Sequence, residues 1–297
     1  MSNLEYYRQQ SVFTDPGPHA RLYDALPSDI GEICRIARGL IVHFAALGPN
    51  PPADRIAEID CRYLGAMLDR ILELDNRPLS ESRNIENRLV GCCRDHTALT
   101  VSILRHKGVP ARARYGASAY IEPGYFCDHV IVEYWNGARW IGVDSELGPY
   151  EIDMWKVEFD PLDVPADQFI RGGAGWLMCR AGQADPERFG LGSGSSLCGW
   201  EFVVGETLLD LAALNGHEML CWDSWGMSEN ALNLDEADKV FLDEVALVTL
   251  DDTRSEGWPK LMADERLLIP PVIQSYSPAV KPYEMPLDVI LDFAADQ

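Results

Sequence analysis

The chain has 297 residues, 47% of them hydrophobic, and its 47 acidic residues against 25 basic ones give a formal net charge of −22. So acidic a surface argues against nucleic acid and anionic membranes as partners, because both are bound through clustered lysine and arginine. The first residues lack a basic-then-apolar signal segment, and about the longest apolar run, 40–47, is too short to span a bilayer. We therefore expect a soluble, cytoplasmic protein with neither nucleic-acid nor membrane partners.

The amino-terminal part of the chain predicts two amphipathic helices. The first covers residues 29–47 and is stopped by the prolines of segment 49–52. The second runs from residue 52 or 53 to about residue 74, with apolar side chains at helical spacing and charged side chains on the opposite face. We expect residues 1–82 to form a helical segment that packs on the core.

Residues 91–107 predict a further helix with two cysteines at its start. Gly108 and Pro110 end it, and its apolar residues make a wide buried face. The unpaired N–H groups at a helix start favour a thiolate and can hold an oxyanion. Adjacent cysteines cannot point the same way from a helix start, so at most one of Cys92 and Cys93 faces an active site. The residues alone do not rank them.

Residues 111–144 predict at least three antiparallel strands, the last two joined as a β-hairpin. The hairpin signal is Asn136-Gly137, which lies between two runs of β-branched and aromatic residues. Helices followed by such a meander predict an α+β fold in which the cysteine-bearing helix lies against the sheet.

The hairpin also predicts which side chains face each other. With Asn136 and Gly137 as the two turn residues, His129 lies directly opposite Asp144. Opposed residues share a face with Cβ atoms about 4.5–5.5 Å apart, so the carboxylate can accept a hydrogen bond from the imidazole. This register predicts a base and the residue that orients it. A polar pair on a solvated face is the alternative.

The remaining residues, 151–297, predict a mostly helical extension. Helical periodicity covers 167–181, 201–220 and 235–247, and a proline-rich tail follows. No Gly/Ser-rich linker separates these helices from the core, and their large apolar side chains need a surface to pack on. We therefore expect the extension to belong to the same folding unit as the core.

Three blocks of this sequence, taken in order, resemble the transglutaminase-like superfamily, whose members share a papain-like cysteine-enzyme core. The blocks are Gly91-Cys92-Cys93-Arg94-Asp95, then Leu104-Arg105-His106-Lys107-Gly108-Val109-Pro110-Ala111-Arg112, then Asp128-His129 with Val143-Asp144. The resemblance implies a catalytic core over residues 83–150. It also implies that Cys93 is the nucleophile, His129 the base and Asp144 the residue that orients the base. Cys92 falls on a variable position of the family pattern.

The chain departs from this family in its oxyanion hole. Animal transglutaminases use a tryptophan upstream of the nucleophile, whereas the first tryptophan here is Trp135. Asn84, Asn87 and Arg88 lie in the approach segment and are candidates for the second oxyanion donor or for substrate contacts. Each of them also fits a helix cap or a solvated residue. His96 is a further candidate, with donation to a neighbouring group as the alternative.

These residues predict a cysteine-dependent acyl-transfer enzyme that needs no cofactor. The thiolate attacks an amide, peptide or thioester carbonyl, and the thioester intermediate passes its acyl group to water. Passing it to an amine, as in a transamidase or amide synthase, is one alternative. A non-catalytic binding scaffold on the same core is another. The substrate and the oligomeric state are left open.

A zinc site is a further alternative for the cysteine-rich region. Its ligands would be Cys92, Cys93, His96, Cys127 and His129. Zinc sites usually contain C-x-x-C pairs, whereas adjacent cysteines chelate poorly. The eight cysteines also show no spacing typical of a disulfide scaffold, so we expect reduced thiols and no metal.

Overall fold

The chain forms two compact units, each built from separate stretches of sequence. The computed structural model describes residues 3–48, 51–253 and 258–287. As far as these residues extend, the first unit comprises Met1–Ala113, Val130–Pro165 and Glu218–Leu220, and the second comprises Arg114–His129, Ala166–His217 and Cys221–Gln297. That residues 151–297 fold together with the core stays a prediction.

Helices and strands alternate along the described residues. The helices are α1 (Asn3–Tyr6), α2 (Ile30–Leu40), α3 (Ala53–Ile56), α4 (Leu64–Leu74), α5 (Cys93–His106), α6 (Pro149–Trp155), α7 (Gly172–Arg180), α8 (Trp200–Leu214), α9 (Glu236–Leu250) and α10 (Trp258–Met262). The strands are β1 (Ile41–His43), β2 (Leu89–Gly91), β3 (Ala111–Ser118), β4 (Phe126–Trp135), β5 (Trp140–Val143), β6 (Phe169–Arg171), β7 (Phe189–Gly190), β8 (Asp223–Ser224), β9 (Val272–Ser275) and β10 (Tyr283–Pro286).

These strands form a mainly antiparallel set of sheets. The largest sheet has the order β5-β4-β3-β6, in which β5 and β4, and also β3 and β6, are antiparallel. Strand β7 joins it by pairing in parallel with β4. Strands β8, β9 and β10 form an antiparallel sheet in the second unit, and β1 and β2 form a parallel pair in the first. The predicted α+β class is confirmed.

Helix α5 packs on the β4–β5 hairpin within the first unit. Leu99 and Ile103 of the helix belong to one buried cluster with Val132 and Val143 of the hairpin, together with side chains of α2 and α4. Burying each such side chain contributes about 1.5–3 kcal/mol, so the cluster holds the helix firmly against the two strands. The predicted packing of the cysteine-bearing helix on an antiparallel sheet is confirmed.

The predicted helix over residues 29–47 is wrong in its second half. Helix α2 begins after Asp29, whose side chain caps it, and ends at Leu40. Ile41 and Val42 then form β1, which pairs in parallel with β2. Both residues are β-branched and therefore suit a strand, once a neighbouring strand offers backbone hydrogen bonds.

Other predicted helices are interrupted or shortened. The segment after residue 52 divides into α3, a short 3₁₀ turn at Ala57–Asp60, and α4. Residues Phe169–Arg171 form β6 ahead of α7, and α8 ends at Leu214 rather than at residue 220. In the last case Asn215-Gly216 follows at once, which is a common stop for a helix.

The hairpin register differs from the predicted one. Trp135 pairs with Trp140, so the two turn residues are Gly137 and Ala138 instead of Asn136 and Gly137. The Asn136 side chain accepts a hydrogen bond from the backbone N–H of Ala138 at 2.9 Å. Gly137 has φ +100°, and glycine at the first of two turn positions is the pattern of a type II′ turn. The prediction that His129 lies directly opposite Asp144 is therefore wrong.

The second unit contains a buried acidic group, Glu206, beside the half-buried Asp128. Glu206 on α8 is 5% exposed and forms a side-chain hydrogen bond with Asp128 on β4. Burial raises the pKa of Glu206 well above its usual range, and the charges of Asp128 and Asp210 raise it further. Asp210 itself is paired with the buried Arg114 at 2.8 Å. Glu206 therefore stays protonated at a pH at which an ordinary glutamate is ionised.

In the native chain we expect the free energy of unfolding to decrease as pH rises, and replacing Glu206 by glutamine is expected to make this decrease smaller. An unfolded glutamate ionises near about pH 4.3, whereas folded Glu206 stays protonated to a higher pH. Between about pH 4.3 and the raised pKa of the folded state, the folded chain binds more protons than the unfolded chain. The free energy of unfolding therefore falls by up to about 1.4 kcal/mol for each pH unit in this range. Urea unfolding between about pH 5 and 7 measures this slope. If the free energy of unfolding has the same slope against pH in the native chain and in Glu206→Gln, the raised pKa of Glu206 is contradicted. Glu201→Gln, at the exposed start of α8, is the control.

Candidate active site

Cys93 is the first residue of α5, and Cys92 is the residue that caps this helix. Both side chains are buried, with Cys93 6% exposed. The first N–H groups of a helix have no partner within it and carry partial positive charge, which favours a thiolate at this place. The helix begins two residues later than predicted, because residues 89–91 form β2.

Gly91 and Asp95 shape the turn that leads into α5. The Asp95 carboxylate accepts the backbone N–H of Cys92 at 2.8 Å. A Cβ atom on residue 91 would lie 2.7 Å from Asp95 Oδ2, so a larger residue would displace the carboxylate. Burial raises the pKa of Asp95 well above its usual range, and the charge of Arg94 partly opposes this. The glycine and aspartate of the first sequence block are thus parts of one helix cap.

Arg94 fastens the start of α5 to distant parts of the first unit. Its guanidinium is buried and pairs with Asp95 at 3.0 Å. It also donates to the backbone carbonyl of Glu218 at 3.0 Å and to that of Arg62 at 2.6 Å. The Glu218 side chain lies 3.2 Å from a second buried arginine of the same helix, Arg105. These contacts fix the end of the helix that carries Cys93.

His129 lies on β4 and is 2% exposed. The edge of its imidazole faces Tyr120, with ring centroids 6.0 Å apart and an interplanar angle of 89°. The next residue, Val130, accepts a hydrogen bond through its carbonyl from the Thr97 hydroxyl at 3.0 Å. Thr97 is one turn after Cys93 on α5, so the helix is fastened to β4 at the residue that follows His129.

Asp144 directly follows β5 and is 1% exposed. Its Oδ1 atom accepts the backbone N–H groups of Glu146 at 2.9 Å and Leu147 at 3.3 Å. Asp144 thus closes a tight turn after the strand. The paired part of the hairpin ends at Val132 and Val143, so Asp144 lies just beyond the ladder.

Glu146 is a residue of this region that the sequence analysis missed. Its carboxylate and the Cys93 thiol have atoms within 4.8 Å of each other. No local pattern in the sequence points to Glu146, because it follows the turn that the Asp144 side chain closes after β5.

The other predicted site residues lie before and within α5. Asn84 is exposed, whereas Asn87 and Arg88 are half-buried. Arg88 donates to the carbonyl of Arg83 at 2.8 Å, so part of its guanidinium is engaged by the backbone. His96 is buried, and its Nδ1 atom lies 3.0 Å from the Cys92 carbonyl oxygen. This contact agrees with the alternative interpretation of His96 as a residue that bonds a neighbouring group.

Several cysteine thiols outside this region have raised pKa values and are therefore unreactive at neutral pH. Burial raises the pKa of Cys34 to about 12, with a smaller contribution from the charge of Asp144. Burial also raises the pKa of Cys61, Cys127 and Cys179 to about 11 in each case. Such thiols remain protonated at neutral pH and react slowly with electrophiles.

Among the described residues of the first unit, metal-ligating atoms come together around Cys93. The Cys92 and Cys93 thiols lie within 4.8 Å of each other, as do the Cys93 thiol and the Glu146 carboxylate. Of the ligands proposed for zinc, His96 and Cys127 are in none of the close groups found among the described residues. The five-residue zinc set therefore does not assemble as the sequence alternative required.

Residues 73–145 match the model of the Transglutaminase-like superfamily. The match identifies a transglutaminase-like region within the chain. The matched region contains Cys93, His129 and Asp144.

Comparison with individual proteins adds one structural likeness. No curated protein matches the chain significantly. A crystal structure from Cytophaga hutchinsonii, described as that of a proposed cysteine protease, is similar to the chain with 16% sequence identity and a TM-score of 0.35. The likeness covers 57% of this chain and 45% of that protein, so the chain spans less than half of its length. Among the described residues, no helix has the length and apolar character needed to cross a membrane.

Proposed function

We propose that the chain is a cysteine-dependent acyl-transfer enzyme that cleaves an amide or peptide-like bond. Cys93 is the nucleophile, His129 the acid and base, and Asp144 the residue that orients the imidazole. The observation that carries this proposal is the position of Cys93. It is the first residue of a buried helix, inside a region that matches the transglutaminase-like superfamily.

The proposed reaction has two acyl-transfer steps. The Cys93 thiolate attacks the amide carbonyl, and backbone N–H groups at the start of α5 stabilise the oxyanion. The His129 imidazolium gives a proton to the leaving amine as the C–N bond breaks, which leaves a thioester on Cys93. Water then attacks the thioester with His129 as base, and the acid product and the free thiol are released.

The nature of the acyl acceptor separates a hydrolase from a transamidase. We favour water, which makes the protein a peptidase or amidase, and keep an amine acceptor as the alternative. Asn84, Asn87 and Arg88 remain our candidates for the second oxyanion donor or for substrate contacts. The exposed Asn84 suits substrate contact best, because Arg88 already bonds the backbone of Arg83.

Alkylation of the native chain at about pH 6 separates an enzyme from a binding scaffold on the same core. If Cys93 is held as a thiolate, low iodoacetamide labels it rapidly and with one equivalent per chain. The thiols of the buried Cys34 and the half-buried Cys61 stay protonated at this pH and form the internal control. Labelling of Cys93 no faster than that of these thiols would favour the scaffold.

A further inference from the structure

We propose that Glu146 selects for an ammonium group beside the nucleophile, so that the substrate is an amide whose reacting region carries a cationic amine. This inference rests on the proposed function of Cys93 as nucleophile and deepens it by naming a substrate class. The carboxylate and the Cys93 thiol have atoms within 4.8 Å of each other, which places a fixed negative charge next to the reacting sulfur.

The Glu146 carboxylate is available to a ligand. Its side chain is half-buried, and among the residues that the structure describes it has no hydrogen-bond or ion-pair partner. The Arg38 guanidinium lies near the backbone of the preceding residue, where it donates to the Ser145 carbonyl at 3.2 Å. Among the described residues it forms no ion pair with Glu146. A carboxylate in this state is a ready acceptor for a charge-assisted hydrogen bond.

The backbone at Glu146 is fixed by hydrogen bonds, which limits where the Glu146 carboxylate can lie. Its N–H group is bonded by the Asp144 carboxylate, and the neighbouring Leu147 N–H is bonded by the same oxygen. The carboxylate is therefore presented to a ligand from a fixed place beside the sulfur.

Standard contact distances allow a small amine to lie beside both side chains. Sulfur attacks a carbonyl carbon from about 3–3.5 Å. An ammonium nitrogen bonds a carboxylate oxygen at about 2.7–2.9 Å. The ammonium comes either from a free α-amino group on the acyl residue or from an amine that accepts the acyl group. An accepting amine first gives one proton to His129, the base of the proposed function, because only the neutral amine attacks the thioester.

The charge preference of the Cys93 thiol tests the proposal without knowledge of the substrate. Native chain, Glu146→Gln and the control Glu158→Gln are alkylated with (2-bromoethyl)trimethylammonium, which is cationic at every pH, and with neutral 2-bromoacetamide, and the label on Cys93 is read by tandem mass spectrometry. Glu158 is exposed and loses the same charge. At alkaline pH even an unactivated thiol reacts, so the result does not depend on Cys93 being catalytic.

We expect Glu146→Gln to lower the ratio of cationic to neutral labelling by about fourfold or more, which is the effect of one charge at about 5 Å in a water-like dielectric. Glu158→Gln should leave the ratio unchanged. An unchanged ratio in Glu146→Gln would overturn the proposal, whereas slow labelling at about pH 6 with a changed ratio would overturn only the enzyme function.

A second arm identifies the source of the amine. Aminoacyl coumarylamides with a free α-amino group are compared with their N-acetylated forms, and methylamine is added as a possible acceptor. Loss of turnover on acetylation, weakened in Glu146→Gln, assigns the ammonium to the acyl residue. Formation of methylamide product that depends on Glu146 assigns it to the acceptor. If neither depends on Glu146, the carboxylate does not recognise substrate and the proposal fails.

Discussion

Replacing Asp144 by asparagine is expected to lower turnover by about 10⁴ while the chain remains folded. In serine-triad enzymes the equivalent substitution has an effect of that size, because the amide stabilises the wrong imidazole tautomer. Asparagine has nearly the same shape as aspartate, and its carbonyl oxygen can still accept the N–H groups of Glu146 and Leu147. The turn after β5 is therefore preserved while the charge is lost.

Steady-state turnover and circular dichroism of Asp144→Asn, measured beside Asp163→Asn, check this result. Asp163 pairs with Arg139 on the surface and is half-exposed, so its loss should leave turnover unchanged. Near-normal turnover in a folded Asp144→Asn chain would show that another group orients His129. Glu146→Gln in the same assay tests whether the carboxylate beside the Cys93 thiol takes that place.

Replacing Arg94 by methionine is expected to destabilise the chain by about 3–5 kcal/mol, the usual cost of removing one partner of a buried ion pair. The substitution leaves the Asp95 carboxylate buried without its guanidinium, and it leaves the carbonyls of Arg62 and Glu218 without their donor. Methionine fills much of the same volume, so a packing defect contributes little.

Urea unfolding of Arg94→Met measures this loss, with Arg35→Met as the matched control. Arg35 is exposed on α2 and pairs with an exposed Glu32, an arrangement that contributes little to stability. A loss below about 1 kcal/mol in Arg94→Met would contradict the anchoring role of the guanidinium.

Local chemistry explains which features could be predicted from the sequence. The helix start at Cys92 and Cys93 follows from a glycine, two cysteines and an apolar helical face within one short segment. The Asn-Gly hairpin was found for the same reason. The register of the hairpin could not be predicted, because glycine fits either position of a two-residue turn. Which position Gly137 takes depends on the hydrogen bond that the Asn136 side chain accepts from the backbone N–H of Ala138.

Features that depend on distant partners could not be predicted. Arg94 bonds a carbonyl 124 residues away, and no local pattern points to Glu218. The apolar residues of β1 read equally well as helix, because a short apolar run has no distinguishing period until a partner strand is known. Glu146 was missed for a related reason, since its position depends on the turn that Asp144 closes after the end of β5.

The most direct test of Cys93 as nucleophile compares two single substitutions, Cys93→Ala and Cys92→Ala, for labelling by an amide-mimicking electrophile at about pH 6. Both thiols are buried at the same helix start, so each variant controls for the other. We expect Cys93→Ala to abolish rapid labelling and Cys92→Ala to retain it, with the adduct located on Cys93 by tandem mass spectrometry. Rapid labelling that persists in Cys93→Ala and disappears in Cys92→Ala would contradict the assignment of the nucleophile.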